Sequence, residues 1–166
     1  MNCYEAIRAR RSIRKYEKGV KIPRSDIEKM LEAAMMAPSA RNSRPWEFAV
    51  VESEEGKRRL MAAHPYCGML ETAYCAIVVS GLPDALPNES FWPEDCGAAI
   101  ENILLQAVDL GYGTCWCGCY PKTERALAVK EAIGAKGMPV AIIAVGKSAE
   151  SPAPRGYFDP EKVRYL

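Results

Sequence analysis

The chain is short of several features that would decide its class early. It has no apolar run long enough to cross a bilayer; its best, residues 138–145, is of strand length. No apolar signal region precedes the charges that begin at Glu5, which points to a cytoplasmic protein with no membrane partner. Charge imbalance is almost absent, with Lys+Arg 22 against Asp+Glu 21, so the general basic footprint of a nucleic-acid binder is missing. There is no G-x-G-x-x-G after a first strand and no Walker-type loop, so neither a Rossmann dinucleotide site nor a P-loop is indicated. Histidine is reduced to His64. Repeats, low-complexity tracts and linkers are lacking too, and 166 residues with 49% hydrophobic content suit one domain with a real core.

What is present includes seven cysteines, an odd number that reads as free thiols where no export signal stands. Three of them, in Cys115-Trp116-Cys117-Gly118-Cys119, would share one face of a strand. A thiol or metal role is the sharper reading of that run. Buried structural cysteine is the plainer one, since zinc sites favour C-x₂-C pairs with a second pair elsewhere.

The most informative stretch is Arg8-Ala9-Arg10-Arg11-Ser12-Ile13-Arg14-Lys15-Tyr16. Guanidinium forks match phosphate oxygens two at a time, and a serine hydroxyl adds a short donor. Taken alone, the run reads equally as solvated surface. The interleaved Ile13 and Tyr16 suggest a segment that packs.

The spacing predicts a short first helix with Asn2 as cap and Glu5 reaching back, and the same capping signature at Ser25-Asp26-Ile27-Glu28 opens a second. Strands are expected over 46–51, 74–80, 114–119 and 140–146. Helices are expected over 54–63, 94–110, closed by Gly111, and 123–133. Residues 81–93, rich in proline and polar groups, read as a loop and a candidate lid. The tail 147–166 carries Tyr157, Phe158, Val163 and Tyr165 among prolines. Its apolar groups need cover, from a partner subunit or from its own. Alternating helices and strands make the class α+β, a modest sheet flanked by helices.

Four pieces in this order resemble the flavin-dependent nitroreductases. They are Arg10-Arg11-Ser12-Ile13-Arg14-Lys15-Tyr16, Ala37-Pro38-Ser39-Ala40-Arg41-Asn42-Ser43-Arg44-Pro45-Trp46, the long helix running into Leu110-Gly111-Tyr112-Gly113-Thr114-Cys115-Trp116 and then Gly118, and the basic tail around Arg155. The resemblance implies an α+β sandwich with a mostly antiparallel central sheet, in an intertwined homodimer with exchanged C-terminal arms and FMN at the subunit interface. It implies that Arg10, Ser12 and Arg14 hold the FMN phosphate, ribityl chain and pyrimidine edge, with Arg11 nearby. Pro38, Ser39, Ala40 and Asn42 would come from the other subunit. Cys117 and Gly118 would present backbone to flavin N5, with the Gly118 N–H as donor, and Arg155 would close on the phosphate. The Asn and Lys that longer members place before the second strand have no match in Pro65-Tyr66-Cys67-Gly68.

The implied activity is a ping-pong oxidoreductase cycle in which NADH or NADPH gives a hydride to FMN and a small electron-poor acceptor, a nitroarene or quinone, takes it. The cofactor carries the hard chemistry, so no catalytic triad is needed. A flavin store or redox sensor without turnover is the reading from another class, and dehalogenation, desaturation or flavin fragmentation are specialised variants within the family.

Overall fold

The computed structural model describes residues 1–82 and 90–166. In chain order it contains α1 (Cys3–Ala9), α2 (Arg24–Met35), β1 (Trp46–Val51), α3 (Glu54–Ala63), β2 (Cys75–Gly81), α4 (Trp92–Asp109), β3 (Gly113–Gly118), α5 (Thr123–Ile133) and β4 (Met138–Gly146). The candidate lid over 81–93 falls mostly outside the described residues. At its borders Gly81 closes β2, and Trp92 and Pro93 open α4. Proline is tolerated in a first helical turn, where its missing N–H has no intrahelical partner anyway, so α4 begins two residues earlier than its apolar pattern suggests.

The sheet runs β1-β2-β4-β3 with every pairing antiparallel. The strands β2 and β4 are apolar on both faces because both faces are covered. Cys75, Ile77, Val79, Ala141, Ile143 and Val145 join the core with α2 and α4, while Ala76, Val78, Ile142 and Ala144 point to the layer of α3 and α5. Each buried Val or Ile contributes on the order of 1.5–3 kcal/mol relative to exposure. β4 starts at Met138, before the expected position. Its Pro139 cannot donate to the ladder, and the register with β2 shifts opposite it, between Val79 and Ser80. α4 buries Cys96, Ala99, Ile100, Ile103, Leu104 and Ala107, the i, i+3, i+4 stripe of a helix laid on a sheet.

The first capping box forms as expected: Asn2 Oδ1 accepts from the Glu5 N–H at 2.9 Å, and the Glu5 carboxylate accepts from the Asn2 N–H at 3.0 Å. The second does not. α2 is preceded by Pro23, and Ser25 already lies inside its first turn. Asp26 instead accepts from the Tyr112 hydroxyl at 2.8 Å and from Lys29, which together hold its carboxyl below the ordinary range. In α3, whose sequence is rich in charge, Lys57 is nonetheless buried and donates to the Ala73 carbonyl at 2.9 Å.

After β4 the chain runs beside the N-terminal segment, where the Glu17 N–H donates to Lys147 and the Ala149 N–H to Lys15. Beyond that junction the tail leaves its aromatic groups uncovered, with Tyr157 82% and Phe158 74% exposed. Of the two covers considered for these side chains, their own protomer does not provide one.

Candidate functional site

The basic segment is fixed along the outer edge of β3. The Ile13 N–H donates to the Thr114 carbonyl at 2.8 Å, and Ser12 bridges Thr114 in parallel. Both hydrophobic anchors of the segment use missing side chains beneath them. A Cβ on Gly113 would lie 2.9 Å from Ile13, and one on Gly146 would lie 2.6 Å from Tyr16. The Tyr16 hydroxyl donates toward the carbonyls of Ile13 at 2.7 Å and Ala144 at 3.3 Å, and burial raises its pKa well above the usual tyrosine range. Ile13 and Tyr16 are thus core residues, and the cations between and before them are held in place on the rim.

A cavity of about 690 Å³ opens beside this segment, lined by Arg8, Arg10, Arg11 and Arg155, with Tyr157 and Phe158 from the tail. Arg10 Nε lies 3.0 Å from a Glu101 carboxylate oxygen. Arg11 Nη1 is buried and has no hydrogen-bond partner among the described residues. A buried guanidinium donor without an acceptor is costly, and the four guanidinium groups that line the cavity suit an anion.

A second cavity, of about 300 Å³, lies further along the same strand edge and is lined by Arg14, Cys115, Cys117, Gly118, His64 and Arg125, among others. The backbone of Gly118 faces outward. The Cys119 N–H donates to Val140 on β4 at 2.8 Å, and in an antiparallel ladder residues alternate between bonding the partner and pointing away. Gly118 therefore directs both its N–H and its carbonyl to the free edge. The carbonyl is taken, by His64 Nε2 at 2.9 Å and by Arg125 Nη1 at 3.1 Å. The Tyr66 ring lies under the Arg125 guanidinium at 5.3 Å and completes the wall beside Gly118.

The thiols of this strand turn inward, as the alternation requires. Cys115, Cys117 and Cys119 are buried beneath the cavity, and every cysteine of the chain is a free thiol. Burial pushes Cys119 up to about 12, and hydrogen bonding to Cys117, together with burial, raises Cys115 further. Such thiols stay protonated and unreactive at neutral pH. Tyr120, just past the strand, packs on Trp92 with ring centroids 4.8 Å apart.

The remaining candidates, Pro38, Ser39, Ala40 and Asn42, sit on the turn between α2 and β1. The Ala40 N–H donates to the buried Asp95 at 3.0 Å, the Arg44 N–H to Ser39 Oγ at 3.0 Å, and Arg44 Nε to Asn42 Oδ1 at 3.1 Å. Arg41, Asn42 and Arg44 all adopt left-handed backbone, φ +52°, +55° and +49°. Non-glycine residues enter that region at a cost and cluster where a loop must keep one shape. These four residues line neither cavity. One protomer thus brings Arg10, Arg11 and Arg155 together and Arg14, Cys117 and Gly118 together, with Ser12 pinned between the two groups, while 38–42 stand apart.

The nitroreductase family model matches residues 7–80 and 61–147. The chain belongs to the nitroreductase family. A relative in Methanothermobacter thermautotrophicus, provisionally named NADH dehydrogenase/NAD(P)H nitroreductase, is 39% identical over 98% of this chain and 86% of its own length. Among solved structures, an FMN-dependent nitroreductase of Clostridium difficile superimposes with a TM-score of 0.86 at 30% identity, covering 96% of both chains. A provisionally named nitroreductase of Desulfovibrio desulfuricans, solved in complex with FMN, superimposes with a TM-score of 0.88 at 28% identity over 100% of this chain and 98% of its own. The α+β nitroreductase sandwich expected from the sequence is the fold observed.

Two residues at the Gly118 cavity escaped the sequence reading. His64 stands out in the sequence only as the single histidine, and Arg125 carries no signal, being one of several charges on α5. Both are brought to Gly118 by the packing of α3 and α5 on the same sheet face.

Proposed function

We propose that this nitroreductase-family chain is an FMN-dependent NAD(P)H oxidoreductase, a homodimer that reduces small electron-poor acceptors such as nitroarenes and quinones. The observation that carries this reading is the convergence of Arg8, Arg10, Arg11 and Arg155 on one cavity, with a nitrogen of Arg11 left buried and unpartnered. That donor set fits a phosphate dianion. The FMN complex of the Desulfovibrio relative supports the choice of group.

Bound there, FMN would supply the redox chemistry, accepting a hydride from NADH or NADPH and returning it to the acceptor in a ping-pong cycle. The chain's own residues bind and orient. Arg10, Arg11 and Arg155 would hold the phosphate, and Ser12 the ribityl chain. Arg14, at the Gly118 cavity, would place a cation at the pyrimidine edge. Gly118 would offer its outward N–H, with Cys117 presenting backbone beside it and its thiol turned away. Pro38, Ser39, Ala40 and Asn42 would complete the site from the second subunit, which accounts for a stiff turn remote from either cavity. The uncovered aromatic tail supports arm exchange between subunits.

The test is the visible spectrum of the purified protein, before and after anaerobic NADH and then NADPH. A flavin spectrum that bleaches with either and returns with an added quinone is expected. Bound flavin that neither nucleotide bleaches would replace this reading with a flavin store or sensor, and a protein that refuses added FMN would remove it.

A further inference from the structure

We infer that His64 and Arg125 are positioning residues, a two-donor clamp on the Gly118 carbonyl that fixes the direction of the Gly118 N–H on the open edge of β3. The inference rests on the FMN site proposed above and adds residues that the family motifs do not mark. Polarity settles how the clamp is wired. A carbonyl only accepts, so His64 Nε2, 2.9 Å from it, carries the hydrogen and donates. The Tyr66 N–H only donates, so His64 Nδ1, at 3.2 Å, accepts. Both contacts call for the same tautomer, and the ring that makes them is 1% exposed. Arg125 Nη1 adds the second donor at 3.1 Å and is itself steadied by the Tyr66 ring.

The clamp matters because of where it acts. Gly118 ends an edge strand, its outward groups have no neighbouring strand to hold them, and it has no side chain to pack. Without the clamp, the ladder holds the two peptide units that meet at Gly118 only from the β4 side, and glycine adds no side chain to limit their rocking. Pinning its carbonyl from α5 and from the turn after α3 removes that freedom. A donor fixed in advance is worth far more to a reacting group than one that must first be ordered. Arg125 also brings a positive charge to the cavity, alongside Arg14.

The test uses His64→Leu, Arg125→Met and His64→Gln, the last keeping an N–H near the Nε2 position. In flavin-free protein, amide exchange is read at Cys119, whose N–H shares a peptide unit with the clamped carbonyl and bonds Val140. Exchange about tenfold faster in H64L and R125M, with H64Q near wild type, is expected. In the flavin-loaded protein, anaerobic reduction by NADH should slow about tenfold in H64L and R125M while the FMN dissociation constant stays within about threefold, because the arginine cavity is untouched. Should H64L not fold, R125M on the partly exposed face of α5 carries the test. Exchange unchanged in R125M, H64Q behaving like H64L, or faster exchange without slower reduction would each overturn the clamp. Failure of the wild type to bind FMN would overturn the proposed function instead, and the exchange data would still decide whether the clamp exists.

Discussion

At the arginine cavity, Arg11 leaves one nitrogen without a partner and Arg10 leans on a partly exposed Glu101. At the Gly118 cavity, a few residues along the same edge, His64 uses both ring nitrogens and the Gly118 carbonyl takes two donors. The first keeps an unsatisfied donor; in the second the His64 ring nitrogens and the Gly118 carbonyl are paired. Donors left open on guanidinium groups suit capture of a charged group. Donors locked by packing suit alignment of a reacting one, where geometry rather than charge is scarce. The difference comes from what lies beneath. The arginines stand on the rim beside an uncovered tail, whereas Gly118 stands over buried thiols and two packed helices.

The sharpest way to break this contrast is to remove affinity from one cavity only. The double substitution Arg10→Ala, Arg11→Ala is expected to weaken FMN binding about a hundredfold or more in a fluorescence titration, since charged hydrogen bonds contribute ~1.5–3 kcal/mol each. Cys117→Ser should leave that affinity within about threefold, because the contact proposed there is through backbone. Comparable losses in both variants would abolish the division of labour.

The dry floor under Gly118 gives a pH signature. Burial holds the Cys119 thiol at about 12 against 9.0 for a free thiol, so its folded pKa lies above the unfolded one. The folded state then binds more protons than the unfolded chain, and stability falls as pH rises. The contribution is whole below about pH 9 and declines toward 12, by up to about 1.4 kcal/mol per pH unit for one thiol. Urea unfolding from pH 9 to 10.5 should therefore decline less steeply in Cys119→Ala, by up to about 2 kcal/mol. Parallel profiles would mean that the floor is wet.

Removing residues 151–166 takes Arg155 and the exposed aromatics together. FMN affinity is expected to fall about tenfold, and sedimentation should show a weakened dimer. An intact dimer with full affinity would confine the arginine cavity to the N-terminal segment. The smallest effect is expected from Glu101→Gln, which frees Arg10 from a competing carboxylate. FMN should bind about threefold tighter at low salt, with the gain vanishing as screening rises. No gain would mean that Glu101 orients Arg10 rather than competing for it.

Much of this was legible before any coordinates. β1, α3 and α5 occur at the expected residues, and Asn2 and Glu5 form their capping box, because periodicity and capping are decided within a few residues. That residues 8–16 offer a cluster of cationic and hydroxyl donors was legible too, since Arg and Ser carry those groups wherever they stand. The turn at Ser25 was misread because a capping signature does not reveal that Pro23 has already started the helix one residue later. The burial of Lys57 was invisible because its acceptor, Ala73, is supplied by a different part of the chain.

The sequence by itself determined the elements, the two-faced burial of β2 and β4, the inward alternation of Cys115, Cys117 and Cys119, and the cations of the N-terminal segment. These follow from local chemistry and from the period of the backbone. Tertiary structure alone decided that Arg11 keeps a free nitrogen and that His64 and Arg125 meet on the Gly118 carbonyl. Each of these depends on which distant groups share a few ångströms of space. Hydrogen bonds and ion pairs act only over that range, and no pattern along the chain records it.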